Sequence, residues 1–367
     1  MNSGRNKFCR IMLTGAIVMA GTLLVGSKAS WTDNIDLKGD LRYRHESIDQ
    51  EGKETRDRHR IRARLELKAK ANDKLDVGLR FASGSSDPVS TNQTLGEGFS
   101  SKSAWLDLAY FDWHPTDCFS LMGGKMKNPF YTPGKNQLIW DGDLNPEGMA
   151  LDVTMKKSMV ELFLTGGGFW VEERKAYDDS MLYGIQAGLK VNMGKKAHIR
   201  FGGSYYTYSE AKGWAPFFDA GDSFGNSTDE DGLYAVDFSL VEAFADMEFP
   251  VGSLPLNIYA DYVVNNGADE YDTGYLAGIM LGKTKKPWSF SISYDYREVE
   301  RDAVVGVFTD SDFAGGGTDA KGHKFGFALQ LSKNCTAGAT YFMDELGLES
   351  ESATDYDRLQ VDLQLKF

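Results

Sequence analysis

Charged and apolar side chains alternate residue by residue between Arg56 and Ala71. One parity carries Arg56, Arg58, Arg60, Arg62, Arg64, Glu66, Lys68 and Lys70. The other carries Ile61, Ala63, Leu65, Leu67 and Ala69. A helix is the alternative, because Ala, Leu, Glu, Lys and Arg are all good helix formers. A helix would spread the arginines around its circumference, whereas a strand places all of them on one face. The alternation therefore favours a strand with one charged and one apolar face.

The same two-residue period recurs along the chain, most cleanly from Tyr356 to Phe367. It predicts sixteen strands, which begin near Asp33, Asp57, Leu75, Ala104, Cys118, Gly148, Met159, Met181, His198, Leu233, Pro255, Thr273, Trp288, Lys321, Cys335 and Tyr356. The fourth strand mixes apolar and polar residues on one parity. The tenth changes parity between Leu240 and Ala243, which indicates a β-bulge.

The connections between these strands alternate in length. Short turns follow the even strands, and longer polar segments follow the odd ones, of which the longest are 83–103, 128–147, 211–232 and 299–320. An even strand count with short turns at one end and long loops at the other is typical of bacterial outer-membrane barrels. A large soluble β-sandwich is the other architecture weighed, and its topology does not predict this alternation. We expect an all-β fold, a transmembrane antiparallel up-and-down β-barrel that leaves no residues for a plug.

The first 29 residues have the pattern of a secretory signal peptide. The apolar run Ile11–Val25 follows three cations and precedes a small-residue cleavage site, after Ala29 or after Ser27. A short anchor helix is the weaker alternative, because fifteen residues are too few to span a bilayer comfortably. We expect residues 1–29 to be a signal peptide and residues 30–367 to form one barrel domain. Cleavage removes Arg5, Lys7, Arg10 and Lys28, which changes the net charge from −13 to −17. So acidic a chain argues against a nucleic-acid partner.

Two cysteines, Cys118 and Cys335, remain after Cys9 leaves with the signal. Both begin strands at the same end of the barrel, six strands apart. With strands about 4.8 Å apart and tilted by about 40°, their separation is on the order of 30 Å. A disulfide needs Cα atoms within about 7 Å, so we expect none between them. No His or Cys cluster has metal-ligand spacing, and no cofactor is expected.

The arginines determine which face is the lumen. An arginine on the lipid face costs roughly 2–4 kcal/mol near the bilayer midplane, so four on one strand must face water. The predicted basic wall of the pore consists of Arg42, Arg44, Arg58, Arg60, Arg62, Arg64, Arg80, Lys125 and Arg358. The open alternative is that these charges are balanced by Asp36, Asp40 and Glu66 and have no selective role.

The loop predicted at 128–147 has three prolines, aromatic residues and three acids, a composition typical of an ordered loop. Folded inward, it would place Asp141, Asp143 and Glu147 opposite the arginines as a constriction loop. Opposite charges on facing walls of a narrow channel orient dipolar solutes and discriminate among ions.

Five segments resemble the Putative porin family of bacterial outer membranes: RHRIRARLEL (58–67), FASGSSDPVSTNQTLG (81–96), LDLAYFDW (106–113), GGKMKNPF (123–130) and WDGDLNPEG (140–148). The resemblance covers residues 33 to 367. It implies a sixteen-stranded porin whose third extracellular loop folds inside, with trimers as a possible assembly. Phe367 resembles the C-terminal signal read by the barrel-assembly machinery. The resemblance supplies no solute.

The sequence thus predicts a porin for passive diffusion of small polar or charged solutes, surrounded by outer-membrane lipid and lipopolysaccharide. A non-conducting structural or adhesive barrel remains open. A barrel enzyme is disfavoured, because no mature histidine has a local motif partner. The acidic segments 219–231 and 310–319 are candidates for divalent cations or lipopolysaccharide contact, without EF-hand spacing. The basic wall favours anions and the acidic loops favour cations, with a slight preference for anionic or dipolar solutes.

Overall fold

The computed structural model describes residues 34–349 and 353–367. The predicted signal peptide, 1–29, lies outside the described residues. Sixteen long strands are present: Ile35–Gln50 (β1), Arg56–Asn72 (β2), Leu75–Ser83 (β3), Ala104–Thr116 (β4), Phe119–Lys125 (β5), Glu147–Lys157 (β6), Val160–Glu172 (β7), Ser180–Met193 (β8), Ala197–Tyr208 (β9), Ser239–Val251 (β10), Leu254–Asn265 (β11), Thr273–Gly282 (β12), Phe290–Val299 (β13), Ala320–Ser332 (β14), Cys335–Leu346 (β15) and Thr354–Lys366 (β16). A two-residue strand, Gln93–Thr94, pairs with β2 beyond the end of β3.

Each long strand is antiparallel to the next, and β16 pairs with β1, so the sheet closes on itself. At the closing pair, Tyr43 lies opposite Leu363. Closure leaves no sheet edge, as a membrane-spanning sheet requires. The predicted sixteen-stranded antiparallel barrel is therefore confirmed. Within the described ranges, no helix is long and apolar enough to cross a membrane.

Fifteen of the sixteen strands begin within two residues of their predicted positions. The exception is β10, which begins at Ser239 rather than Leu233. The residues before it belong to a folded loop, in which Thr228 and Tyr234 form an isolated bridge. Both Tyr234 and Phe238 are fully buried, and this packing ends the loop later than the apolar pattern indicates.

The predicted bulge between Leu240 and Ala243 is wrong. The register of β10 with β9 and with β11 is unbroken through this region. Leu240 and Phe244 both lie on the inner face and are buried. Phe244 packs against Tyr131 of the loop after β5, with ring centroids 5.5 Å apart. Where the inner face contacts an apolar loop, residues of both parities are apolar. In the sequence this pattern looks like a change of parity.

A bulge occurs instead in β4 and explains the mixed parity there. Arg80 lies opposite Leu108 and Phe81 opposite Leu106, so Asp107 is the extra residue. Both Asp107 and Leu108 are consequently buried, although they are consecutive. A bulge of this kind lets two adjacent side chains share one face.

The remaining strands follow the predicted split between faces. On β16, Leu359, Val361, Leu363 and Leu365 are 38–46% exposed, whereas Arg358 and Gln360 are 2% exposed. The apolar face is therefore the outer face, and the polar face is covered. The connections alternate in length as predicted, with one exception. The turn 283–289, which joins β12 to β13, is seven residues long, whereas the loop 51–55, which joins β1 to β2, has only five residues.

Residues of three long loops pack together with inner-face residues of β6–β13 and form one apolar cluster. Counting in chain order only the connections that follow odd strands, they are loop 3 (126–146, after β5), loop 5 (209–238, after β9) and loop 7 (300–319, after β13). Their buried members include Phe130, Leu138, Trp140, Phe217, Tyr234, Phe238, Val304 and Val307. Within the described residues, the apolar cluster therefore combines residues of these three loops with residues of the strands.

Candidate channel constriction

Eight of the nine predicted basic residues lie on the inner face of four adjacent strands, β16, β1, β2 and β3. Cross-strand register explains their proximity, because Arg42 lies opposite Arg62, and Arg44 opposite Arg60. These eight residues form the arginine cluster: Arg42, Arg44, Arg58, Arg60, Arg62, Arg64, Arg80 and Arg358. Like charges directly opposite each other destabilise a sheet, so neighbouring acids must compensate.

Glu46 is the central acid of the cluster and is 0% exposed. Its carboxylate accepts hydrogen bonds from Arg58 Nε and from Arg358, the latter at 2.7 Å. Arg44 and Arg60 approach it at 3.5 and 3.6 Å. A buried carboxylate is tolerated only when it is paired in this way. Sequence reasoning missed Glu46, although it shares the parity of Arg42 and Arg44 on β1.

Other strand carboxylates pair with the remaining arginines. Asp40 contacts Arg62 at 2.9 Å and Arg64 at 3.0 Å. Asp362 receives two hydrogen bonds from Arg44, at 2.7 and 2.8 Å, the fork geometry that guanidinium groups favour. Further contacts join Asp107 to Arg80, and Glu66 to Arg80 and Lys127. Of the predicted balancing acids, Asp40 and Glu66 contact the cluster, whereas Asp36 pairs with Lys38.

Two loop acids complete the cluster. Asp143 of loop 3 lies 3.1 Å from Arg64 and accepts a hydrogen bond from Thr91 Oγ1 at 2.9 Å. Asp312 of loop 7 lies 3.1 Å from Arg44 and 2.7 Å from Arg358. Burial alone would raise the pKa of both carboxyls. The nearby arginines outweigh it and hold each pKa below its usual range, so both acids are ionised.

Asp141 does not face the arginines, which corrects the predicted constriction. It is buried, and its Oδ2 atom lies 2.9 Å from Ser311 N and 3.0 Å from Ser311 Oγ. Burial, followed by the charges of Asp310 and Asp143, raises its pKa well above the usual range. The Ser311 hydroxyl also lies 3.0 Å from Val89 O. One hydroxyl proton cannot serve both acceptors, so a protonated Asp141 satisfies the network best.

Lys125 and Glu147 are paired with each other rather than with the cluster. They lie directly opposite at the ends of β5 and β6, with Lys125 Nζ 2.7 Å from Glu147 Oε1. The Glu147 side chain is 62% exposed. Glu147 is the first residue of β6, so its assignment to the constriction loop is wrong. Regular pairing of β5 with β6 begins at Glu147, one residue before the strand start predicted at Gly148.

Loop 3 is anchored on the strands across the barrel from the arginine cluster. Tyr131 N donates to Gln186 Oε1 at 2.7 Å, and the Tyr131 hydroxyl donates to Asp246 at 2.6 Å. Asn136 Nδ2 donates to Asp261 at 2.8 Å. These partners lie on the inner faces of β8, β10 and β11. The loop therefore contacts inner-face residues on both sides, through Asp143 on one and these anchors on the other.

Two cavities lie on either side of the middle of the cluster. The turn-side cavity, about 1230 Å³, is lined by Arg64, Arg80 and loop 3 and reaches Phe367. The loop-side cavity, about 310 Å³, is lined by Arg60, Arg358 and residues of loops 2 (84–103), 5 and 7. The two share no lining residue, and Arg42, Arg44 and Arg62 belong to neither. Arg44 and Arg62 are 5% and 7% exposed.

The other sequence predictions concern cysteines and metals. Cys335 has a free thiol, so it forms no bridge with Cys118. Within 34–349 and 353–367, no group of three or more His, Cys, Asp or Glu side chains is arranged to hold a metal ion.

Comparisons with known proteins give the same architecture. A family described as Putative porin matches residues 49–232 and 237–367. Among solved structures, OprB of Pseudomonas putida is similar at a TM-score of 0.62 and 10% identity, over 92% of this chain and 95% of that chain. OmpF of Salmonella typhi, in complex with daunomycin, gives 0.58 and 12%, over 91% and 98%. A mutant porin of Rhodopseudomonas blastica gives 0.52 and 12%, over 91% and 100%. No curated protein sequence matches. At these identities the structures establish the fold, and the family match covers most of the chain: this protein belongs to the Putative porin family and has the porin-like outer-membrane barrel of that fold.

Proposed function

We propose that the protein is a passive channel for small polar or charged solutes, narrowed between the arginine cluster and acids of loops 3 and 7. The observation that carries the proposal is the contact of loop acids with the cluster. Asp143 reaches Arg64, and Asp312 reaches Arg44 and Arg358. Charged side chains at the narrowest point select ions by sign and orient dipolar solutes.

Part of this proposal is that loop 3 folds into the lumen. Its anchors on β8, β10 and β11 support this placement, because Gln186, Asp246 and Asp261 are all buried inner-face residues. Phe130 of the same loop packs edge-on against Tyr206 of β9, with centroids 4.9 Å apart. A loop that lay over the mouth outside the barrel would not reach these positions.

The charge balance of the constriction depends on the loops. The eight arginines of the cluster contact seven carboxylates: Asp40, Glu46, Glu66, Asp107, Asp143, Asp312 and Asp362. Five belong to strands and two to loops. Arginines of the cluster therefore exceed these carboxylates by one, eight against seven, and would exceed them by three without the loop acids. Glu66 is also shared with Lys127. This pairing supports a cluster that acids balance nearly completely, in which the residual positive charge favours anions weakly.

The cellular setting completes the proposal. Residues 1–29 direct export and are removed, leaving 30–367 as the barrel. The barrel-assembly machinery reads the C-terminal strand that ends in Phe367, which is 67% exposed. The apolar outer face contacts outer-membrane lipid, and the acidic loops face lipopolysaccharide. Homotrimers are the proposed assembly.

A non-conducting structural or adhesive barrel is the second candidate. The two cavities share no lining residue, which favours a barrel that is closed at the arginines. A barrel enzyme has no comparable observation in its favour.

Single-channel recording in planar bilayers separates the two candidates. We expect the purified protein to conduct. Replacing both Arg60 and Arg62 with Gln should shift the reversal potential towards cations in a KCl gradient and raise conductance. The shift should shrink at 1 M salt, where the Debye length falls to about 3 Å from about 10 Å at 0.1 M.

The matched control removes two exposed lysines of the turn 283–289, Lys285 and Lys286, and should change neither quantity. Circular dichroism verifies that each variant keeps its β-sheet. A wild-type protein that inserts without conducting would favour the structural barrel. Equal selectivity in all variants at low salt would reject the selective role of the arginines.

A further inference from the structure

The loop-side cavity has features that the general channel function does not require. Four guanidinium groups line it, those of Arg56, Arg58, Arg60 and Arg358. Six apolar or aromatic residues also line it: Ile48 of β1, Val89 of loop 2, Phe218 and Phe224 of loop 5, Val307 of loop 7 and Tyr356 of β16. A cavity of about 310 Å³ lies at the small end of the range for small-molecule sites.

The guanidinium groups already recognise carboxylates within the protein. Arg58, Arg60 and Arg358 converge on the buried carboxylate of Glu46, and Arg358 also binds Asp312. Their hydrogen-bonding capacity is not exhausted. The buried Nε atoms of Arg60 and Arg358 have no hydrogen-bond partner in the described structure, and Arg358 is only 2% exposed. A buried donor left unpaired is costly, so a further acceptor in this cavity would be stabilised.

The guanidinium group of Arg56 is not paired with any acid of the described residues. Its side chain is exposed and lines the cavity, and it forms no ion pair with any described residue. Two carboxyls line the cavity, Asp87 and Asp312. Asp312 is held by Arg44 and Arg358, and burial raises the pKa of Asp87. With Glu46 counted, four cations meet three acids, which leaves an excess of one positive charge.

We propose that the loop-side cavity is a binding subsite for small organic monocarboxylates that have an apolar body. The carboxylate would contact the guanidinium groups of β2 and β16, and the body would contact Phe218 and Phe224 of loop 5. The single excess charge and the apolar wall disfavour inorganic dianions such as phosphate. This inference names a solute class for the proposed channel and so rests on it, but binding is measurable whether or not the barrel conducts.

Equilibrium dialysis of the full-length, detergent-purified protein with radiolabelled benzoate tests the inference. We expect saturable binding, with acetate and phosphate as much weaker competitors. Arg56→Gln should weaken benzoate binding about tenfold, the change that corresponds to about 1.4 kcal/mol. Because Arg56 forms no ion pair with any described residue, this substitution breaks no ion pair among them. Lys53→Gln, which removes an exposed charge from the neighbouring connection 51–55, is the matched control and should leave affinity unchanged.

A second pair of variants tests the apolar wall. Phe218 and Phe99 both have left-handed φ angles, 67° and 62°, a conformation that Asn tolerates. Phe218→Asn should weaken benzoate but not acetate binding, and Phe99→Asn, outside the cavity and fully exposed, should do neither.

The outcomes separate the two proposals. Binding that is not saturable, equal competition by acetate or phosphate, or an Arg56→Gln affinity equal to wild type would each overturn the subsite. Saturable, Arg56-dependent binding by a barrel that carries no current would support the subsite and overturn the channel. Conductance without benzoate binding would do the reverse.

Discussion

Compared across the barrel axis, the inner faces of β16 and β1–β3 carry the arginine cluster, whereas those of β6–β13 carry aromatic and aliphatic residues together with uncharged polar and acidic ones. One buried arginine on these strands, Arg297 of β13, is paired with Asp310 of loop 7. Loops 3, 5 and 7 make different contacts with the two halves. Against the apolar half, loops 3, 5 and 7 pack densely and bury Phe130, Trp140 and Phe217. Against the arginines they contribute single acids, Asp143 and Asp312, and leave cavities. A guanidinium group needs only a few paired carboxylates, so space can remain open beside it, whereas apolar surfaces pack closely against each other.

The difference also concerns how each half tolerates change. The apolar half depends on contact area, so truncation leaves a void. The charged half depends on pairing, so removing one partner leaves buried charge uncompensated. Substitutions in the two halves should therefore separate stability from selectivity.

The largest effect is expected at the centre of the charged half. Glu46→Gln removes the carboxylate shared by Arg44, Arg58, Arg60 and Arg358 and should reduce the free energy of unfolding by about 3–5 kcal/mol. Urea unfolding in detergent micelles measures this. The reversal potential should also move towards anions. Glu51→Gln in the exposed connection 51–55 is the control, and similar stability of the two variants would show that the cluster does not depend on its central acid.

In the apolar half, Trp140→Ala should cost about 3 kcal/mol through the void that it leaves. Trp140 is 4% exposed and packs against Phe130 and Tyr206. Loosened loops should increase conductance and proteolytic cleavage while ion selectivity stays nearly constant. Trp288→Ala, at a 72% exposed position, provides the comparison. A change in selectivity as large as that of a charge variant would erase the distinction between the halves.

Asp143→Asn lies at the contact between the halves and should cost about 1–2 kcal/mol. Its main effect should be on selectivity, because Arg64 loses the loop carboxylate 3.1 Å away. The reversal potential should move towards anions at 0.1 M salt and less at 1 M. Asp178→Asn, on the exposed connection after β7, should cause no shift. A shift of the same size in both variants would indicate surface charge rather than the constriction.

A pH-dependent effect is expected at Asp141, which joins loop 3 to loop 7. Its folded pKa is raised, so its contribution to stability is complete below the unfolded pKa and is lost as pH rises through the folded pKa. Protease cleavage of loops 3 and 7 should thus increase from pH 4 towards neutral pH. In Asp141→Asn this dependence should be reduced. Asp143 and Asp312 have lowered pKa values and stay ionised in this window. An unchanged pH profile in the variant would mean that another group titrates.

The smallest effect is expected for the pair Lys125 and Glu147. Exposed pairs of this kind contribute about 0–1 kcal/mol. Glu147→Gln should change neither stability nor reversal potential measurably, in contrast to Asp143→Asn. If Glu147→Gln shifted selectivity as Asp143→Asn does, the original assignment of Glu147 to the constriction would be restored.

The sequence alone determined the barrel and the location of the arginine cluster. Two-residue alternation is a local property of the chain, and in a closed sheet it fixes which face each side chain takes. The arginines from Arg58 to Arg64 could therefore be assigned to the inner face, and their neighbours on β1, β3 and β16 followed from strand order. Fifteen of sixteen strand starts were correct within two residues for the same reason.

Only the tertiary structure decided what faces the cluster. The role of Glu46, the burial of Asp141 against Ser311 and the exclusion of Glu147 all depend on contacts between segments far apart in sequence. Alternation says nothing about where a loop returns, because loop residues have no fixed period. The tenth strand shows the same limit: Phe244 packs on the inner face against Tyr131 of loop 3, a contact between segments far apart in sequence.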